Sequence, residues 1–132
     1  MAERTIVNPW TWQDNFGFVQ GLDISGGQRV LMCAGQTSND ADGNPLHAGD
    51  MTGQINQSLD NLETVLNQAG RELSDVARLN IYTTDVDQFL GAAQVYGNRL
   101  AEGGCRPAAT LLGVTRLWHP DILVELEATA VV

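Results

Sequence analysis

The chain has 132 residues, enough for one domain, residues 1–132, around one hydrophobic core. With 43% apolar and 17% charged residues it has the make-up of a soluble globular protein, and its apolar runs are too short to cross a bilayer. A net charge of −9, with seven basic residues scattered along the chain, disfavours nucleic acid and anionic membranes as partners.

The first ten residues, MAERTIVNPW, contain neither an apolar h-region nor a small-residue cleavage site, so they do not read as an export signal. Cys33 and Cys105 are therefore expected to be free thiols in a reducing, cytoplasmic compartment. Two cysteines and two histidines, widely spaced, make no zinc-ligand pattern. FVQGLDI, residues 18–24, reads as a strand, SGGQ as a turn and RVLMCAGQ as a second strand, which predicts a hairpin. TSNDADGNPLHAGD is a polar loop with turn signals at DG and NP.

The period then changes. Ile55, Leu59, Leu62, Val65 and Leu66 share one helical face, with Asp50 as N-cap and Gly70 just beyond the C-terminus. In ARLNIYTTDV, Leu79, Ile81 and Thr83 alternate with Asn80, Tyr82 and Thr84, which predicts a strand. A second helix is expected from about Val86 to Leu100, with Phe89, Ala92, Ala93, Tyr96 and Leu100 inward. Gly103 and Gly104 would end it. ATLLGVTRL and ILVELEATAVV read as the last strands. In the final one Ile122, Val124, Leu126 and Ala128 face one way, and Leu123, Glu125, Glu127 and Thr129 the other.

The order ββαβαββ predicts a two-layer α+β domain, with both helices on one face of a mixed sheet. The uncovered face needs a partner, so an oligomer is expected, with clefts between subunits.

FVQG near the start, CAGQ closing a strand, the SLDNLETVLNQAG helix and the tail RPA…V…L…P…LVELEATA follow one another in an order and spacing that resemble the Rid (reactive intermediate deaminase, or YjgF) family. The resemblance runs from about residue 15 to 131. It implies a chorismate-mutase-like fold, a homotrimer with small-molecule clefts between subunits, and hydrolysis of reactive enamines and imines to 2-keto acids and ammonia without cofactor or metal. In that chemistry a carboxylate holds the attacking water, and an arginine grips the substrate carboxylate.

Carried over position by position, much of that equipment is absent. The family arginine after PA falls on Ala109, the tyrosine before VQG on Phe18, the serine before GQ on Ala34, and the second-helix asparagine on about Ala93. The glutamate that opens EIEA survives as Glu125, and the loop LWHPDILVE is one residue longer than in the active branch. The resemblance thus assigns catalysis to Glu125. The cleft lining falls to Phe18, Cys33, Ala34 and Gly35, to Ala93, Ala109 and Thr110, and to Trp118 and His119 of the longer loop. An α-carboxylate buried there without a cation would cost several kcal/mol. Arg106 or Arg116 could replace the missing arginine, although bidentate geometry rarely survives such a shift.

Each residue also has a plainer reading. Glu125 could be an interface carboxylate bonded to backbone, and Glu127 could pair with Glu125 or, the favoured reading, reach solvent. Cys33 could be a buried structural thiol rather than a nucleophile, and Cys105 a loop thiol. Trp118 and His119 could be packing and turn residues before Pro120. The GQ segment has no phosphate-loop context, and the acidic balance gives no support to the ribonuclease activity reported for some family members.

Three functions stay open. The first is a divergent enzyme in which Glu125 directs water onto an electrophilic C=N or C=C bond of a less polar substrate, one that lacks the α-carboxylate or carries it at a different distance. The second is a ligand-binding or interaction trimer without turnover. The third is a standard 2-iminoacid deaminase rescued by Arg106 or Arg116.

Overall fold

Alternation at the C-terminus builds the centre of the sheet. In the computed structural model, which describes residues 2–27 and 29–132, strand β6 (Val124–Val131) alternates buried and half-buried residues along its whole length. It runs antiparallel to β3 (Val30–Met32) on one side and to β4 (Val76–Thr83) on the other. β4 in turn pairs in parallel with β5 (Ala108–Gly113), so the order is β3-β6-β4-β5. The parallel pair requires a crossover, and the helices supply it.

Helix α1 (Met51–Gln68) buries Ile55, Leu59, Leu62 and Leu66 completely against β6 and the neighbouring helix. The Asp50 side chain accepts the Gly53 N–H at 3.0 Å, as an N-cap does. At the other end the Arg71 N–H donates to the Leu66 carbonyl at 2.8 Å and the Gly70 N–H to Asn67 at 3.0 Å, with Gly70 at φ 72°. This paired closure requires a left-handed residue. Gly70→Ala is expected to lower stability by about 1 kcal/mol, read as an earlier midpoint in urea unfolding.

The second helical region is divided. Helix α2 (Val86–Gly91) and helix α3 (Ala93–Glu102) meet at Ala92, whose ψ is 6°. The expected single helix breaks because Gly91 is a poor helix former, and three-residue hydrogen bonds, Ala92 to Phe89 and Val95 to Ala92, tighten the junction. Phe89, Tyr96 and Leu100 still point inward, joining Leu79, Ile81, Val124 and Leu126 in one core.

Among the described residues the expected hairpin between residues 18–24 and 29–36 does not form. β2 (Gly21–Ser25) instead pairs antiparallel with β1 (Glu3–Val7), a strand the sequence reading did not anticipate. The Arg4 guanidinium donates to the carbonyls of Asp75 at 2.6 Å and Val131 at 2.8 Å, and so holds β1 across the end of the main sheet. Gln28, the last residue of the expected SGGQ turn, lies outside the described residues. Val19 bridges Ala108 in parallel, which carries residues 12–18 to the free edge of β5.

Helices cover one face of the main sheet. The other presents Val30, Met32 and Leu112, with Met32 81% exposed, beside Tyr82, Glu125 and Glu127. Among the described residues no helix is long and apolar enough to cross a membrane.

Candidate functional site

A cavity of about 780 Å3 opens between residues 12–18, helices α2 and α3, and β5. Phe18, Ala93 and Ala109, three positions where polar groups were expected from the family pattern, all line it. Ala109 is in register with Leu79, and Leu111 with Ile81, so this part of β5 faces the helix-covered side of the sheet. The Trp12 ring meets Phe16 edge-on at 6.5 Å and Phe18 at 6.1 Å, an aromatic cluster along the wall. Asp14 also lines the cavity, and its carboxylate is paired with Arg106 at 2.5 Å.

Glu125 lies on the opposite face. It pairs with Tyr82, and Glu127 with Asn80, positions that alternate with the buried Leu79 and Ile81. Beside Glu125 the ladder between β6 and the end of β3 is irregular. The Cys33 N–H donates to the Ala128 carbonyl at 2.9 Å, and Gln36 exchanges bonds with Leu126 at 2.7 and 2.9 Å. Ala34 and Gly35 therefore stand against one residue, Glu127, as in a β-bulge. The bulge brings the Gly35 backbone against Glu125, so that an added Cβ at Gly35 would lie 2.6 Å from the Glu125 carboxyl carbon.

The two glutamates differ in environment. Glu127 Oε1 accepts the Tyr82 hydroxyl at 2.8 Å and the Asn80 amide at 3.1 Å, and these bonds hold it below the usual carboxylate range. It is thus neither loose in solvent nor bonded to Glu125. Partial burial, and then the Glu127 charge, push Glu125 up. The Tyr82 hydroxyl is raised, chiefly because its donated bond to Glu127 favours the protonated phenol.

Glu127 contributes stability above its unfolded pKa that is lost as pH falls through its lowered folded pKa. Ionising Glu125 costs stability as pH rises through the normal carboxylate range. Side-chain 13C NMR should show Glu125 titrating above Glu127, and Glu127→Gln should move the Glu125 midpoint down; an unmoved midpoint would remove the coupling.

Other singled-out residues are placed elsewhere. Thr110 is in register with Asn80, exposed on the Glu127 side of the sheet and away from Ala109. Cys33 turns into the core, where burial raises its thiol pKa. Cys105 is also buried, not a loop thiol, and burial pushes it up to about 12. Both are free, and both are held in the unreactive thiol form. The Trp118 indole donates to Thr37 Oγ1 at 3.0 Å. His119 Nδ1 accepts the Asp121 N–H at 3.0 Å, a turn contact that leaves Nε2 as its free ring nitrogen. The buried Gln54 fixes that loop from α1, donating to the Asp121 carbonyl at 2.7 Å and accepting the Leu123 N–H at 2.8 Å. Arg116 and His119 line a separate depression that shares no residue with the aromatic cavity. No cluster of metal-ligating side chains occurs among the described residues.

The whole chain superposes on a crystal structure from Yersinia pestis, described as a protein of unknown function of the conserved Rid protein family. The TM-score is 0.87 at 33% identity, with 98% of each chain covered. Residues 16–132 match the family described as Endoribonuclease L-PSP. The chain is a member of the Rid family. A RutC family protein of Pyrococcus horikoshii is 34% identical over 100 residues, covering 76% of this chain and 77% of that protein. The 2-iminobutanoate/2-iminopropanoate deaminase of Escherichia coli K12 is 28% identical over 115 residues, 86% of each.

Several residues around the cavity were not among those singled out from the sequence: Trp12, Asp14, Phe16, Leu90 and Gly97. A signal was present. Trp10, Trp12, Phe16 and Phe18 crowd one short stretch of a chain with only 6% aromatic residues.

Proposed function

We propose that this Rid-family chain forms a homotrimer in which the aromatic cavity of one copy and Glu125 of another make a single small-molecule site. There, Glu125 directs a water onto a C=N carbon of a substrate that carries no α-carboxylate. The observation that carries this reading is the placement of Ala109 and Glu125 on opposite faces of one sheet. Within one chain they cannot meet, whereas a neighbouring copy whose uncovered face packs against the open β5 edge of this one can bring its Glu125 to the mouth of the cavity. The exposed Val30, Met32 and Leu112 supply apolar area for that contact.

Glu125 suits the task because it is partly buried with a raised pKa, and no hydrogen bond is among the influences on it. Such a carboxylate can accept a proton from water as the oxygen attacks carbon, and return it to the departing nitrogen. Glu127, tied to Tyr82 and Asn80, has no such freedom. The E. coli relative's name identifies 2-imino acids as its substrates. Here Ala109 offers no cation for their carboxylate, and Arg106 is engaged by Asp14.

The test is hydrolysis of imines made in situ and trapped with semicarbazide. A flavin-dependent amine oxidase acting on benzylamine supplies a carboxylate-free imine, and an amino-acid oxidase acting on alanine supplies 2-iminopropanoate. The protein is expected to speed loss of the first well above buffer and of the second little, with Glu125→Gln removing the effect. Acceleration of 2-iminopropanoate that is lost in Arg106→Ala would restore the standard deaminase reading. The collection of Phe18, Ala93 and Ala109 in one apolar cavity also favours a second reading, a trimer that binds ligand without turnover. That reading predicts no acceleration of either imine and full tolerance of Glu125→Ala.

A further inference from the structure

We infer that the cavity takes a planar, uncharged aromatic ring, lying between the aromatic cluster of residues 12–18 and a stripe of small residues on α3. This rests on the reading of the cavity as the ligand half of the site, and it names the ligand class.

On α3 the cavity is lined by Ala93, Gly97 and Ala101, spaced four residues apart and therefore on one helical face. A Cβ built at Gly97 meets nothing within 4 Å, so open space reaches the helix backbone there. Ala109 continues the small-residue surface onto β5. Such a surface admits a flat group and gives a branched one no advantage.

The Trp12 ring already meets both Phe16 and Phe18 edge-to-face, and edge-to-face contact is what a further ring would make with them. The volume, about 780 Å3, is in the range of sites for drug-sized ligands and far exceeds the need of a three- or four-carbon imino acid.

Charge decides the rest. Among the described residues lining the cavity, Asp14 is the one charged group, and it is negative and bound to Arg106. A carboxylate ligand would meet no free cation and would face Asp14. Asn15, Gln94 and Asn98 offer neutral amides for a polar edge of the ligand.

The test compares two probes with the same ring, 2-naphthamide and 2-naphthoate, by calorimetry and 1H–15N NMR on the full-length protein. Naphthamide should bind saturably, with shifts at Gly97, Ala109 and the Trp12 indole, and naphthoate should bind at least about tenfold more weakly. Gly97→Leu replaces a helix-destabilising glycine, so the fold should hold while naphthamide affinity falls by about tenfold or more. Ala109→Arg should reverse the preference toward naphthoate. Equal affinity for both probes, no saturable binding of either, or an unchanged affinity in Gly97→Leu would each overturn the assignment. The outcomes separate from those of the hydrolytic reading. Naphthamide binding without Glu125-dependent turnover of any imine sinks the hydrolysis and leaves the ring site. Glu125-dependent turnover of the benzylamine-derived imine without naphthamide binding does the reverse.

Discussion

Gly35→Ala is expected to reduce imine hydrolysis by about 100-fold while leaving the fold intact. The added methyl would sit 2.6 Å from the Glu125 carboxyl carbon and 2.9 Å from its Cγ, closer than side chains approach. Backbone bonds of Cys33 and Gln36 to β6 hold the bulge on both sides, so the movable partner is the Glu125 side chain. A carboxylate displaced by about 1 Å no longer aims its water, and losses of that order follow from such misplacement. The circular dichroism spectrum should be that of the parent, and naphthamide affinity should be unchanged, because the ring is held by residues 12–18, α3 and Ala109 and not by Glu125 or Gly35. Parental turnover in Gly35→Ala would mean that the seat of Glu125 against this glycine does not matter to the reaction.

Leu126→Ala should carry the largest stability loss, about 2–5 kcal/mol in chemical denaturation at fixed protein concentration. Leu126 is fully buried in the core cluster, and its N–H and carbonyl both bond Gln36. The substitution leaves a void under α1 and loosens the strand that carries Glu125. A loss below 1 kcal/mol would mean that the core collapses freely around the site.

Side-chain periodicity made the centre of the fold legible. The strict alternation from Ile122 to Ala128, and the helical face from Ile55 to Leu66, needed only their own period and were found as expected. The edges were less legible because their partners are remote. β1 depends on Arg4 reaching carbonyls some seventy and more residues away, contacts that no local pattern encodes. The β2–β3 hairpin was expected from two glycines and adjacent apolar runs, yet β1 took the edge of β2 instead. The break at Ala92 was signalled by Gly91 but outweighed by the run of inward residues on either side.

Part of the lining of the candidate cavity was legible. The family pattern pointed to Phe18, Ala93 and Ala109, and the cavity gathers these three. It could not reveal that Cys33 turns into the core, or that Thr110 and Ala109, adjacent in sequence, lie on opposite faces of β5. Nor could it reveal that Glu127 is tied down by Asn80 and Tyr82 while Glu125 is left free, because that contrast depends on the register of β4 against β6.

Subunit complementation tests the central claim most directly. Glu125→Gln removes the carboxylate half of the site and Gly97→Leu blocks the cavity half, so each variant alone should be inactive on the benzylamine-derived imine. If the halves come from different copies, refolding the two variants together in equal amounts should restore roughly one quarter of wild-type activity, since a quarter of the sites then combine two intact halves. A mixture as inactive as its parents, from variants shown to co-assemble and beside an active wild type, would contradict the shared site and place the whole reaction within one chain.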